Sequence, residues 1–572
     1  MLWKILRSAF SRRPRADSFV NRSLALRKQG RQHEAEQLLR EAALQFPRNA
    51  IVATNLGVAL LEQDQAEHGV AWLQRAIEFD PRCAPAHFNL ANVMRASGQR
   101  KPAIEHYESA IDADPGFGHA REELMNCLLE VCDWDRAGQV AKAIHAQIAR
   151  EPAATWMRYV SPLTALQLGL PPAEVKAVAA FHAKECARDI KHLPRRPASA
   201  QAIDDARRLR IGYLSRDFGN HPVGQLLANA LALHDRAQFE VYAFSFGRDD
   251  GSTYRRDIVR GVDHFIDAEA MTDDELAAVI AKAGIHVLVD LAGHTTGNRM
   301  PVLARRPAPV QTHYLGFAAT TGASYIDYYI SDAVATPPSM AAAFSEKVAY
   351  VPHSFMVSDG ADALNPPVEA RNAAETQLPR DAIVFCNFNN GSRITREDFA
   401  AWLQILDGVP GSVLWLQGAN PVMVDNLRAM ENAAGLEQPC IVFAQRVPTK
   451  REHLSRLNRA DLMLDTIGWH TGHSSTSDAL WAAVPVLTVP GQHFANRVSA
   501  SLVTAAGLPQ YVRQDRRDYI DTAIRMGRER AELAAGKREL AARTAPFFDT
   551  QGRVRDLEAA YRQMWEQTIA SA

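Results

Sequence analysis

From about residue 206 onward, short apolar runs alternate with amphipathic stretches. Leu209–Ser215 (LRIGYLS), Phe239–Gly247, Ile285–Leu291 (IHVLVDL), Val310–Phe317 and Tyr328–Asp332 read as buried strands, with helical stretches such as Asp274–Ala283 between them. The same beat resumes at Ile383–Asn389 (IVFCNFN), Ser412–Gly418 (SVLWLQG), Ile441–Val447, Leu462–Leu464 and Pro485–Val489, with a helix over Asp478–Ala483. Strands covered by helices on both faces lose the polar alternation and become continuous apolar runs. Two successive α/β domains with doubly wound parallel sheets are therefore predicted, over 206–370 and 371–572. A last helical stretch, Val554–Trp565, is predicted to pack back across them.

The N-terminal third has a different rhythm. Pro47, Pro81 and Pro115 lie 34 residues apart, and Ala35, Gly69 and Ala103 keep the same step. So do Ala42, Ala76 and Ala110; Leu39, Leu73 and Tyr107; and Asn21, Asn55 and Asn89. Small residues let paired helices approach, and proline stops the second helix, which is the tetratricopeptide pattern. Residues 16–150 thus read as three repeats plus a degenerate fourth or cap. Such stacks offer a concave groove without chemistry of their own, suited to an extended peptide or partner, or to self-association. Residues 151–205 read as an Ala-rich helical connector, with HLPRRPAS (192–199) as a linker broken by Pro194 and Pro197.

At 572 residues the chain is too long for one domain. A net charge of −1 removes any global attraction for nucleic acid. The six cysteines are scattered without metal spacing and read as reduced thiols of a cytoplasmic protein. No apolar run is long enough to span a membrane, and the basic MLWKILRSAFSRRPR has no signal-peptide core.

Candidate chemistry sits where strands end. The stretch from Asp461 to Ala495 reads strand, polar loop, helix, strand, and its loop carries His470, His473, Ser474, Ser475 and Thr476. Unpaired N–H groups at a helix start hold phosphate, although serines there also simply cap helices. His221 in GNHP, His294 in AGHTTGN and Gly316 in GFAATTG follow strands of the first domain. An imidazole there can serve as base or as neutral donor. Arg393, in Asn390-Gly391-Ser392-Arg393, and Lys450 supply cations, while Asp249-Asp250 reads as solvated surface. No P-loop, no GxGxxG and no paired-aspartate metal motif stands near these loops.

The motifs IGYLSRDFGNHP, RRPAPVQTHYLGF, VFCNFN, SVLWL, ADLMLDT, GHSSTSDALW and PVLTVPG, spread over residues 210–500 behind a repeat array, resemble the O-linked N-acetylglucosamine transferase and SPINDLY family. The resemblance implies a tetratricopeptide superhelix followed by a two-Rossmann GT-B region. It also implies inverting, metal-independent sugar transfer from a nucleotide sugar to protein Ser or Thr. By that resemblance His221 lies near the donor sugar as a base candidate. Asn390 falls at a Gln/Asn position; Lys450, His453 and Arg456 hold the nucleoside; His473, Ser474 and Ser475 grip the diphosphate; and Asp478 takes ribose hydroxyls. Arg393 stands where the family has lysine, and the loop before His473 is one residue longer than the family pattern. AGHTTGN is similar to the SPINDLY branch, implying GDP-fucose, whereas GHSS is similar to the N-acetylglucosamine branch, implying UDP-GlcNAc, the donor preferred here. The acceptor is expected to come from the repeat side, with no cofactor beyond the donor. A catalytically weak repeat scaffold is the rival reading.

Overall fold

The computed structural model describes residues 15–188, 190, 208–358, 378–418, 420–436 and 439–570. The sequence-predicted linker 192–199, the boundary at 370/371 and the basic lead-in lie outside the described residues. The chain divides into two compact units, Met1–Glu151 and Pro152–Ala572.

The first unit is four helix pairs: α1 (Ala16–Lys28) with α2 (Gln32–Gln45), α3 (Ala50–Leu61) with α4 (Ala66–Phe79), α5 (Ala84–Ala96) with α6 (Arg100–Ala113), and α7 (Gly118–Glu130) with α8 (Trp134–Arg150). Both helices of every pair start in the 34-residue phase, the fourth pair included. Ala149 takes the place of the recurring proline there, so α8 runs on for 17 residues. The periodic residues Ala35, Leu39, Ala42, Leu73, Ala76, Ala103, Tyr107 and Ala110 are all buried. Closest approach is at two glycines: a Cβ on Gly57 would lie 2.9 Å from the Gly69 carbonyl, and one on Gly69 would lie 2.6 Å from Leu61 Cγ. Asn55 and Asn89 donate to the carbonyls of Ile51 and Pro85 one turn back.

The second unit begins with a correction. The segment read as a connector contributes α9 (Pro172–Cys186), which is part of the α/β body. Its Ala183 belongs to the core formed with Leu214, Leu288 and Ile326. Lys176 Nζ bonds the carbonyls of Ala342 (3.1 Å) and Phe344 (2.8 Å). Helix α10 is Pro222–Leu227 and α11 is Asp273–Ala283. The first sheet has seven parallel strands: β1 (Leu209–Ser215), β2 (Phe239–Ser245), β3 (His264–Asp267), β4 (Val287–Asp290), β5 (Val310–His313), β6 (Tyr328–Ser331) and β7 (Lys347–Tyr350), in the order β3-β2-β1-β4-β5-β6-β7. Strands β3 and β7 were not foreseen; both are four-residue edge strands whose end residues are exposed, so neither leaves an apolar run.

The second sheet has five parallel strands: β8 (Val384–Asn387), β9 (Val413–Gln417), β10 (Ile441–Ala444), β11 (Leu462–Leu464) and β12 (Val486–Leu487), in the order β10-β9-β8-β11-β12. Helix α12 (Lys450–Leu457) follows β10, and α13 (Ser474–Trp481) connects β11 to β12. Helix α13 starts four residues earlier than the sequence suggests, because Ser474–Ser477 are its first turn. The halves are joined by Trp481 Nε1 to Ser358 Oγ (3.0 Å), Ser501 Oγ to Asp332 Oδ2 (2.6 Å) and Arg497 Nε to the Val334 carbonyl (3.0 Å). Helix α14 (Thr550–Ala570) returns to the first sheet: Tyr561 OH meets Tyr213 OH at 3.0 Å, and Glu558 Oε1 accepts from the Asp235 N–H at 2.7 Å and contacts His234 Nδ1 at 3.0 Å.

Candidate nucleotide-sugar site

Each sheet has one place where neighbouring strands are followed by connections running in opposite directions, and a crevice opens there beyond the strand ends. In the first sheet it lies between β1 and β4, whose following loops carry His221 and His294. In the second it lies between β8 and β11, followed by residues 388–395 and 465–473. The sequence-predicted residues Asn390, Arg393 and His473–Ser475 therefore come to one crevice from two loops.

Those loops are tied together. Asn389 Nδ2 donates to Thr466 Oγ1 (2.9 Å), and Asn389 Oδ1 accepts from Ser475 Oγ. Trp469 Nε1 donates to the Ser392 carbonyl at 3.1 Å. Asp465 underlies the loop, accepting from the Gly472 N–H (2.8 Å) and Thr488 Oγ1 (2.7 Å); burial pushes its carboxyl up to about 7. The imidazoles of His470 and His473 lie against each other, tilted by 31° with centroids 4.1 Å apart. Burial, with the nearby Arg393 charge, pushes His473 down to about 3 and His470 well below its ordinary value, so both are neutral. Burial also lowers Arg393 to about 10, and it stays charged at neutral pH. The Arg393 guanidinium has no hydrogen-bond or ion-pair partner among the described residues.

No side chain caps α13; His473 stands at its N-cap without a capping bond. The first-turn N–H groups of Ser474, Ser475 and Thr476 thus stay available, next to an unpaired cation. Beyond them lies a second polar cluster on α12 and α13. Thr449 and Glu452 form a reciprocal cap that starts α12 at Lys450. Lys450 Nζ pairs with Asp478 Oδ1 at 3.0 Å, and His453 Nε2 lies 3.9 Å from Asp478 Oδ2. Burial pushes His453 down to about 4. Arg456 lies over the rings of Phe388 (5.1 Å) and Trp415 (5.8 Å).

Other expected residues are placed elsewhere. Asn390 is exposed, and its side chain accepts from the Ser392 N–H (3.1 Å), capping its own turn; its neighbour Asn389 makes the contact to Ser475. His221 lines a cavity of about 400 Å³ with Arg216, Asn220, Arg248, Asp250 and Glu269, all of the first half. Its Nδ1 accepts from the Val223 N–H (3.3 Å), capping α10, and burial lowers its pKa. Asp250 is exposed, as expected, and also accepts from the Asn220 N–H at 2.6 Å, which fixes the loop of His221. His294 Nε2 donates to the Thr321 carbonyl (2.6 Å), and burial lowers the ring to about 4. Gly316 lies against the end of β4, where a Cβ would fall 2.3 Å from the Leu291 carbonyl, so backbone packing accounts for it. Sequence reading missed Asn389, Asp465 and Trp469, whose partners Ser475, Thr488 and Ser392 lie in other segments of the chain.

The chain thus combines a helical repeat array with two parallel-sheet halves, one of which sets a cation beside an uncapped helix N-terminus. Residues 131–376 and 364–557 match the model of glycosyl transferase family 41, and 15–44 and 84–117 match tetratricopeptide repeats. The chain belongs to glycosyl transferase family 41. It is 33% identical over 455 residues, 77% of this chain and 46% of the relative, to a probable UDP-N-acetylglucosamine–peptide N-acetylglucosaminyltransferase SEC of Arabidopsis thaliana. It is 29% identical over 558 residues, 76% of this chain and 48% of the relative, to the UDP-N-acetylglucosamine–peptide N-acetylglucosaminyltransferase of Caenorhabditis elegans. A probable enzyme of the same description named SPINDLY, from Petunia hybrida, is 29% identical, covering 64% of this chain and 39% of the relative. The chain spans about half the length or less of these relatives. A mutant of the Thermobaculum terrenum O-GlcNAc transferase superposes with a TM-score of 0.68 at 27% identity, covering 97% of this chain and 98% of that one.

Proposed function

We propose that this protein transfers a sugar, GlcNAc from UDP-GlcNAc, to Ser or Thr hydroxyls of a polypeptide acceptor bound by the repeats, with inversion and without a metal ion. The observation that carries this is Arg393, a guanidinium with no hydrogen bond or ion pair among the described residues, beside an uncapped helix N-terminus. These groups neutralise a diphosphate as charge develops on it. Lys450, Asp478, His453 and Arg456 would hold ribose and base, a carboxylate suiting a vicinal diol. The acceptor oxygen attacks the anomeric carbon in line; the bond to the diphosphate oxygen breaks, and the nucleoside diphosphate leaves.

His221 fits a donor better than a base. With Nδ1 accepting from Val223, the neutral ring carries its proton on Nε2. The hydroxyl proton then goes to a phosphate oxygen or water. The names of the relatives and the GHSS motif favour UDP-GlcNAc. The AGHTTGN segment favours the second reading, an O-fucosyltransferase using GDP-fucose. Incubation of the protein and a cell lysate with each nucleotide sugar, with and without EDTA, read by intact-protein mass, tests both. A GlcNAc increment that survives EDTA is expected. A deoxyhexose increment selects the second reading, and no increment with any donor leaves a repeat scaffold.

A further inference from the structure

We propose that Trp469 is a positioning residue for leaving-group stabilisation: its indole N–H, donated to the Ser392 carbonyl, holds the turn that aims Arg393 at the diphosphate. This rests on the role given to Arg393 above.

The turn Gly391–Arg393 is a single 3-10 turn. Three of its bonds are internal: Ser392 N–H to Asn390 Oδ1 (3.1 Å), Arg393 N–H to the Asn390 carbonyl (2.9 Å) and Ile394 N–H to the Gly391 carbonyl (3.0 Å). Internal bonds set the shape of a turn; its position is set by bonds that leave it, and Asn389, two residues before it, already reaches Thr466 and Ser475. The bond from Trp469 crosses between the loops, linking residues 77 apart in sequence to the carbonyl immediately before Arg393. Trp469 is itself held. Its ring meets His470 edge-on at 5.1 Å, His470 lies against His473, and Thr466 Oγ1 donates to the His470 carbonyl (2.8 Å). On its other side Asn496 Nδ2 donates to the Gly468 carbonyl (3.1 Å). The indole therefore passes the rigidity of the 465–473 loop to the opposite turn. Arg393 needs it, because a long side chain without a partner loses conformational entropy when a ligand orders it. Fixing its base lowers that cost and keeps the guanidinium in line with the leaving oxygen.

The test is calorimetric binding of UDP and uridine, with GDP and guanosine in parallel, to the full chain and to Trp469→Phe, Arg393→Ala and the double variant. Phe keeps the ring and removes the donor. Trp469→Phe should weaken diphosphate binding about fivefold to tenfold, the size of one hydrogen bond, and leave nucleoside binding and the melting temperature unchanged. On Arg393→Ala it should add nothing. Trp469→Tyr, which retains a donor, should lose less than Phe and serves if Phe proves unstable. Unchanged UDP affinity in Trp469→Phe, equal losses for UDP and uridine, or a full additional loss on Arg393→Ala would overturn the proposal. Wild-type binding of neither nucleotide, or Arg393→Ala binding UDP as the wild type does, would instead overturn the reading of the site itself.

Discussion

At the scale of single residues, the site concentrates unpaired or minimally paired charge in one crevice. Arg393→Ala is expected to lower turnover about 10²–10³-fold, the cost of removing one donor from a developing oxyanion. Arg393→Lys keeps the charge but not the planar fork, so an intermediate rate is expected, with turnover of all three proteins read as nucleotide released. Asp478→Asn breaks the 3.0 Å pair with Lys450 and should weaken UDP and uridine alike, by about tenfold. His294 gives a pH prediction. Its folded value of about 4 lies below the ordinary 6.5, so its contribution to stability is complete above pH 6.5 and is lost as pH falls towards 4. His294→Gln should shrink the drop in melting temperature between pH 7 and pH 5 by a few degrees. His453 and His473 act in the same direction, so part of that drop should persist. Arg393, Lys450 and His473 could be picked out as candidates in the sequence because polar residues in the loops after apolar runs stand out, whereas Asp478, inside α13, came from the family resemblance. Trp469 and Asn389 could not: an indole reads as core, and Asn389 looks the same as its exposed neighbour Asn390 until its partner 86 residues away is known.

At the scale of elements, period was a better guide than polarity. The 34-residue step placed eight helices, and it held through the fourth pair even though the closing proline was gone. It works because each repeat must present the same small face to the next helix. Gly69→Val, with a side chain where Leu61 Cγ would lie 2.6 Å from a Cβ, should force α3 and α4 apart and lower stability by about 1–3 kcal/mol. UDP binding, which belongs to the second unit, should be unaffected in the same preparation. Strands were readable where both faces are covered. The edge strands β3 and β7 were silent because their ends meet water, and the helix α9 was misassigned because alanine-rich composition says nothing about what a helix packs against.

At the scale of the whole chain, the first sheet is not completed by its own segment. The buried His234, the Asp235 N–H and Tyr213 are satisfied from α14, with Tyr213 and Tyr561 348 residues apart. Glu558→Ala should strand the His234 and Asp235 donors and cost about 2–4 kcal/mol in denaturant unfolding, and both α/β halves should melt in one transition. Sequence suggested that this helix returns, but not what it would satisfy, because a Tyr–His–Glu network has no local period. The order of synthesis gives this closure a temporal consequence. While the ribosome is still making residues 550–570, the sheet carrying His221 has every one of its strands yet keeps a polar wound at its base. A nascent chain in that state would engage chaperones until α14 emerges, so a truncation before residue 550 would damage the first α/β half, completed some two hundred residues earlier.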